Sequence, residues 1–292
     1  MHIQRRPFFY GWYFRCQSET DTIAVIPAVH ISGEKSSSSI QILTERGVWN
    51  MEFPISEFKL SRKQMKMQIE KNCFSEKGIR LDIERAGIKI KGRLDFGPFA
   101  KPAFDIMGPF CCIPGMECRH SVYSMEHSVN GTIQIQGKDI RFSDARGYME
   151  GDSGTSFPET YVWTQHFFRD GSLVFAAADI PILGVHFKGT IGIVRQKDKE
   201  CRFATYLGAS VVKMGENVLK IRQGRKTVLI RLREKEGSML HAPCSGKMTR
   251  KICEYPSCQA DYIFFCGKKK EKEILAARAA VEYEVKKKHN PA

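Results

Sequence analysis

The stretch GYMEGDSGTSFPETYVWTQ, residues 147–165, is where the reading of this chain begins. It sets Glu150 and Asp152 two residues apart among three glycines, then follows with Phe157-Pro158 and a Tyr161-x-Trp163-x-Gln165 alternation. Successive side chains of a strand point to opposite faces, so Tyr161, Trp163 and Gln165 would share one face. Glu150 and Asp152 would do the same if Tyr148 to Asp152 is extended. Two readings stay open on these letters alone. Carboxylates, a tyrosine and an indole on facing strands could line a cavity that handles a proton beside an apolar ligand. A glycine-rich turn carrying solvated acids fits as well.

Outward from that stretch nearly every segment has the period of a strand. Met65 to Ile69, Ile79 to Ile83 and Ile88 to Leu94 each alternate and are separated by glycine-containing turns, which is the pattern of an antiparallel meander. Pro27 inside Thr22 to Ser32 suits an edge or a bulge. Phe96 to Met116 carries Pro98, Pro102, Pro109 and Pro114 and reads as a long irregular connection. Downstream, Thr160 to Phe168, Leu173 to Ala178, Val185 to Arg195 and Gln259 to Phe265 continue the strand pattern. Lys270 to Ala280 reads as one short C-terminal helix, with Val281 to Val285 as a closing strand. Short antiparallel strands over such a length define an all-β class, as barrels or a sandwich. The strands divide about evenly around residue 146, so two consecutive barrel-like halves are expected, 1–146 and 147–292.

Composition narrows the function classes. The 292 residues are 42% hydrophobic with a mean hydropathy of -0.32, the profile of a soluble globular protein. No apolar run reaches the roughly 18 residues a membrane helix needs. Pro7 to Phe14 reads as a first strand rather than a signal peptide, which points to the cytoplasm and to reduced thiols for the ten cysteines. The net charge of +14 is heavier in the second half, with Lys268 to Lys270 and Lys286 to Lys288. No nucleic-acid motif accompanies it, so nucleic acid is not an expected partner, and peripheral contact with an anionic membrane is the expectation the charge leaves. No Gly-x-Ser-x-Gly elbow, phosphate loop or dinucleotide fingerprint is present. Glu117, Cys118, His120 and His127 match no zinc spacing, so no metal is expected. His120 and His127 read either as proton relays near neutral pH or as hydrogen-bonded structural histidines.

The run Gly147-Tyr-x-Glu150-x-Asp152-x-Gly154-x-Ser156-Phe157-Pro158 with Trp163-x-Gln165 resembles the signature of the tocopherol cyclase family. Phe9-x-Gly11-Trp12-Tyr13-Phe14, Met107-Gly-Pro-Phe, Met116-Glu-Cys-Arg-His120, Ser124-Met125-x-His127, Ala204-Thr205-Tyr206 and Ala242-Pro243-x-x-Gly246-x-Met248 resemble further blocks, in order, across nearly the whole chain. The resemblance implies two lipocalin-like antiparallel β-barrels. It also implies cofactor-free, acid-catalysed ring closure or hydration of a prenylated phenol or other isoprenoid. Such chemistry needs an acid that protonates an alkene, an aromatic wall for the carbocation and a base near the phenol. By the resemblance, Asp152 or Glu150 would be the acid and Tyr148 and Gln165 polar positioners. Trp12, Phe157 and Trp163 would form the wall, with His120 and His127 at the mouth of the ligand site. The family's usual Lys and Trp flanking the aspartate are Gly151 and Ser153 here. A carrier of a hydrophobic isoprenoid or lipid, without catalysis, is the alternative.

Overall fold

The computed structural model describes residues 7–32, 36–113, 116–182, 185–233 and 237–285. The lysine run at 286–288 lies outside them.

The first sheet has eleven strands among the described residues. They are β1 (Phe8–Gln17), β2 (Thr22–Ile31), β3 (Ser37–Thr44), β4 (Gly47–Pro54), β5 (Phe58–Leu60), β6 (Lys66–Ile69), β7 (Asn72–Ser75), β8 (Gly78–Arg85), β9 (Ile88–Phe96), β10 (Cys118–Ile135) and β11 (Lys138–Gly154). Their order is β4-β3-β2-β1-β11-β10-β9-β8-β7-β6-β5, with antiparallel neighbours throughout. The first strand therefore lies beside the last, and the two ends of the sheet are strands adjacent in sequence. β3 comes round against β6, so the sheet curls on itself. Local chemistry supports the path: β10 and β11 are joined by a two-residue turn at Gln136 and Gly137, both at positive φ (50° and 79°), where glycine carries no steric cost.

The second sheet repeats the plan. It comprises β12 (Tyr161–Phe168), β13 (Gly171–Ile182), β14 (Val185–Gln196), β15 (Lys199–Ala204), β16 (Ala209–Gly215), β17 (Val218–Gln223), β18 (Lys226–Leu232), β19 (Ser238–Cys244), β20 (Lys247–Cys266) and β21 (Lys269–Glu284). Its order is β15-β14-β13-β12-β21-β20-β18-β17-β16, with β19 beside β20. Again the first strand, β12, pairs with the last, β21. These are two lipocalin-like antiparallel β-units, as the strand periods and the motif resemblance anticipate.

Two differences from the sequence reading have clear physical causes. Lys270 to Ala280 is not helical but lies within β21. Its Lys, Glu and Ala content favours a helix locally, yet β21 is hydrogen-bonded to β20 on one side and β12 on the other. Those ladders, and the burial of Ala276, Ala279, Ala280 and Val281, outweigh a propensity difference of a few tenths of a kcal/mol per residue. The second difference is the boundary. Residue 146 falls inside β11, and the compact units are discontinuous in sequence: Met1–Pro102, Cys118–Ser156 and Leu240–Arg250 form one, and Ala103–Glu117, Phe157–Met239 and Lys251–Ala292 the other. Strand counting cannot see that Leu240 to Arg250 returns to the first unit, where the Gln41 side chain exchanges two hydrogen bonds with the His241 backbone.

Each unit has its own core. Trp12, Phe14, Phe53, Phe74, Ile83, Ile90, Val129 and Met149 belong to the first. Val162, Leu173, Phe175, Phe203, Tyr262 and Val281 belong to the second. Full burial of side chains such as Phe14 and Phe74 contributes about 2–3 kcal/mol each.

Candidate functional site

The strand pair β1/β11 has two unlike faces. Trp12 is opposite Gly151, Phe14 opposite Met149 and Cys16 opposite Gly147, and the side chains of this set enter the core of the first unit. By alternation the other face carries Tyr13 and Arg15 from β1 and Tyr148, Glu150 and Asp152 from β11. That face is also shielded from water: Arg15 and Tyr148 are fully buried and Glu150 is 5% exposed. The two carboxylates share a face, as the two-residue spacing predicts.

β10 completes the site. It pairs with β11 so that His120 lies opposite Asp152 and Val122 opposite Glu150. His120 Nδ1 is 2.9 Å from Asp152 Oδ1, and its Nε2 is 3.5 Å from Glu150 Oε2. Tyr148 OH donates to the same Glu150 oxygen at 2.5 Å. Cys118 Sγ lies 3.7 Å from Asp152 Oδ1. The result is one imidazole between two carboxylates: His120 is hydrogen-bonded to Asp152, while Glu150, hydrogen-bonded to Tyr148, stands 3.5 Å from its other nitrogen. Burial, reinforced by the charge of Glu150, holds the Tyr148 phenol well above its usual range, so it stays a hydrogen-bond donor. Donor atoms of His120, Glu150 and Asp152 lie within 4.8 Å of one another and could also hold a divalent cation.

His127 does not join this group. Seven residues from His120, it falls on the other face by alternation, and across register shifts in β10 at Val122/Ser124 and Ser124/His127 it comes to lie opposite Gly147. There its ring lies 4.6 Å from both Phe96 and Phe99, and Nδ1 is 2.9 Å from Ser124 Oγ. Burial pushes its pKa down to about 3, so it is neutral near pH 7. His127 is thus a buried, hydrogen-bonded histidine, while His120 lies between the two carboxylates. Trp12 is likewise a core residue, on the face opposite the carboxylates, with its indole N–H donating to Tyr10 OH at 2.8 Å. It does not form a wall beside Glu150.

The glycines of the stretch have a packing reason. A Cβ on Gly147 would lie 2.3 Å from His127 Nε2. One on Gly151 would lie 2.8 Å from Tyr123 Cε2, 2.9 Å from Trp12 Cδ1 and 3.0 Å from the Gly11 carbonyl oxygen. The position where the resembled family carries lysine therefore points into the core here, away from the carboxylates. Gly151→Lys is expected to destabilise the protein by about 3 kcal/mol through overpacking, measured as a lower midpoint in urea; an unchanged midpoint would contradict this packing.

In the second unit, Tyr161, Trp163 and Gln165 do share one face of β12, opposite the core residue Val162. Trp163 is 6% exposed and Gln165 fully buried. Tyr161 OH donates to Glu282, and the Phe157 ring meets Tyr161 edge-on at 6.1 Å. Glu282 stands opposite Glu254, itself 1% exposed, across β20/β21. On the core side, Thr164 Oγ1 is 2.6 Å from Tyr262 OH. Sequence reasoning missed Tyr13, Arg15, Glu254 and Glu282. The first two could have been found by carrying the strand alternation of β1 through to its polar face; the acids lay in segments with no motif.

No family model and no curated protein sequence matches the chain. Its architecture places it among proteins built from two lipocalin-like β-units. CghA resembles it with a TM-score of 0.62 at 10% identity, over 97% of this chain and 90% of that one. The structure of CghA with Sch210972 gives 0.60 at 10%, over 96% and 89%. Kievitone hydratase from Nectria haematococca gives 0.53 at 7%, over 97% and 90%.

Proposed function

We propose that this chain is an enzyme that cyclises or hydrates a hydrophobic substrate by proton transfer, with a prenylated phenol or other isoprenoid as substrate class. The observation that carries the reading is the row Tyr148–Glu150–His120–Asp152 on a buried strand face, hydrogen-bonded at its two ends and joined in the middle by the 3.5 Å approach of His120 Nε2 to Glu150. The fold likeness to kievitone hydratase supports hydration, and the motif resemblance to tocopherol cyclases supports ring closure.

In this mechanism Glu150, in its acid form, gives a proton to one carbon of an alkene. The neighbouring carbon becomes a tertiary cation, and the substrate's phenolic oxygen, or a water oxygen, forms the new C–O bond. Asp152, through His120, accepts the proton that oxygen loses. The imidazole, in contact with both carboxylates, returns a proton to Glu150. No electrons are exchanged, so these residues need no redox partner. The carrier alternative has no side-chain arrangement of this kind in its favour.

The test is incubation with a panel of prenylated phenols and quinols, read by chromatography with mass detection. A product of unchanged mass and altered retention marks cyclisation, and a gain of one water marks hydration. Asp152→Asn and His120→Gln are each expected to slow the reaction by on the order of a hundredfold. Absence of product across the panel, or variants as active as the parent, would overturn the reading.

A further inference from the structure

Residues Ala103 to Cys112 of the second unit form a strap clamped at several points. Arg202 donates to the carbonyls of Phe104 (2.7 Å) and Asp105 (3.0 Å), and its guanidinium stacks 3.5 Å above the Phe104 ring. Glu200, paired with Arg202, accepts the Ala103 N–H at 3.1 Å. Tyr206 OH donates to the Ile106 carbonyl, and its ring occupies the space where a Gly108 Cβ would be. Phe110 packs edge-on against Tyr206. The strap ends in a 3-10 turn, Gly108–Cys112, that presents two adjacent cysteines. Their sulfurs are 3.6 Å apart; Cys112 is exposed and Cys111 partly so.

We propose that Cys111 and Cys112 form a binding site for one thiophilic metal or metalloid centre, held by both sulfurs as a dithiolate chelate. Two geometric facts select chelation over a disulfide. Adjacent Cα atoms are about 3.8 Å apart, below the roughly 4.4–6.8 Å that an unstrained disulfide spans. A tetrahedral centre with metal–sulfur bonds of about 2.3 Å needs its sulfurs about 3.8 Å apart, which the present separation nearly meets without backbone movement. The clamped strap holds the two thiols together before the ligand arrives, which reduces the ordering cost of binding.

Phenylarsine oxide is the probe. Two S–H bonds break, two As–S bonds form, and the arsenic's oxygen leaves as water with no change of oxidation state. Intact-mass measurement of the full chain is expected to show one adduct at one equivalent, mapping to the peptide that holds Cys111 and Cys112. A small dithiol should remove it. Cys111→Ser and Cys112→Ser should each weaken it on the order of a hundredfold, since one-point attachment replaces two. An adduct that persists at parental affinity in the double serine variant would overturn the site. So would a parent protein that takes up no arsenical. A pair that becomes two hydrogens lighter in glutathione disulfide and then resists reduction would overturn the chelate in favour of a stable vicinal disulfide. The wild-type measurements decide the question even if a variant folds poorly.

Discussion

Glu150→Gln is expected to slow turnover of the proposed prenylated substrate by a factor of about a hundred to ten thousand, the range of a lost general acid. The amide matches the carboxyl in size and can still accept the Tyr148 hydrogen bond, so packing at this 5% exposed position should survive. What it cannot do is carry a proton or exchange one with His120 3.5 Å away. The melting temperature should change little while the rate collapses, which separates loss of chemistry from loss of fold. Tyr148→Phe is the companion. It leaves the buried carboxylate without its phenol donor and should cost about 1–3 kcal/mol in stability, with a milder effect on rate than Glu150→Gln. A Glu150→Gln enzyme running at the parental rate would move the acid role elsewhere and leave this carboxylate a structural group.

The second large effect is acid lability seated in the first unit. His30 and His127 are both deeply buried, and desolvation holds their pKa values down to about 4 and about 3. In the unfolded chain both would titrate near 6.5. Between pH 6.5 and about 4 the unfolded state thus binds protons that the native state refuses, and stability falls as pH falls; above pH 6.5 the contribution is complete. At pH 5 each histidine costs about 2 kcal/mol by this linkage, together about 4 kcal/mol against a typical stability of 5–15 kcal/mol. Thermal melts from pH 7.5 to 5 should show a decline of roughly 10 °C. His127→Phe, placed between Phe96 and Phe99, should flatten the slope by about half. Parallel pH curves for parent and variant would show that His127 takes up its proton without unfolding.

Much of this arrangement was legible in the letters. Period two placed Glu150 with Asp152 and Tyr161 with Trp163 and Gln165, because alternation is a property of any extended backbone. The motif resemblance supplied the paired lipocalin-like units. What the letters withheld was the pairing of distant strands. Trp12 is expected beside the acids by the resemblance alone, but the β1/β11 register sets it opposite Gly151, on the core face. His120 and His127 look like a pair, but seven residues of strand put them on different faces, and two register shifts in β10 set which residues of β11 they meet. The helix expected at Lys270 to Ala280 failed for a related reason: local propensity is a few tenths of a kcal/mol per residue, and two flanking ladders exceed it.

The placement of β1 beside β11 also bears on how the chain matures on the ribosome. Phe8–Gln17 emerges before both of its partners, one of which ends only at Gly154, and the first unit also requires Leu240–Arg250. Contacts this distant in sequence are slow to form, since loop closure must precede any return from pairing. The nascent protein therefore carries an unpaired, aromatic-rich leading edge through much of its synthesis. That is the interval in which a chaperone, or crowding by other nascent chains, decides how much of it reaches the native state.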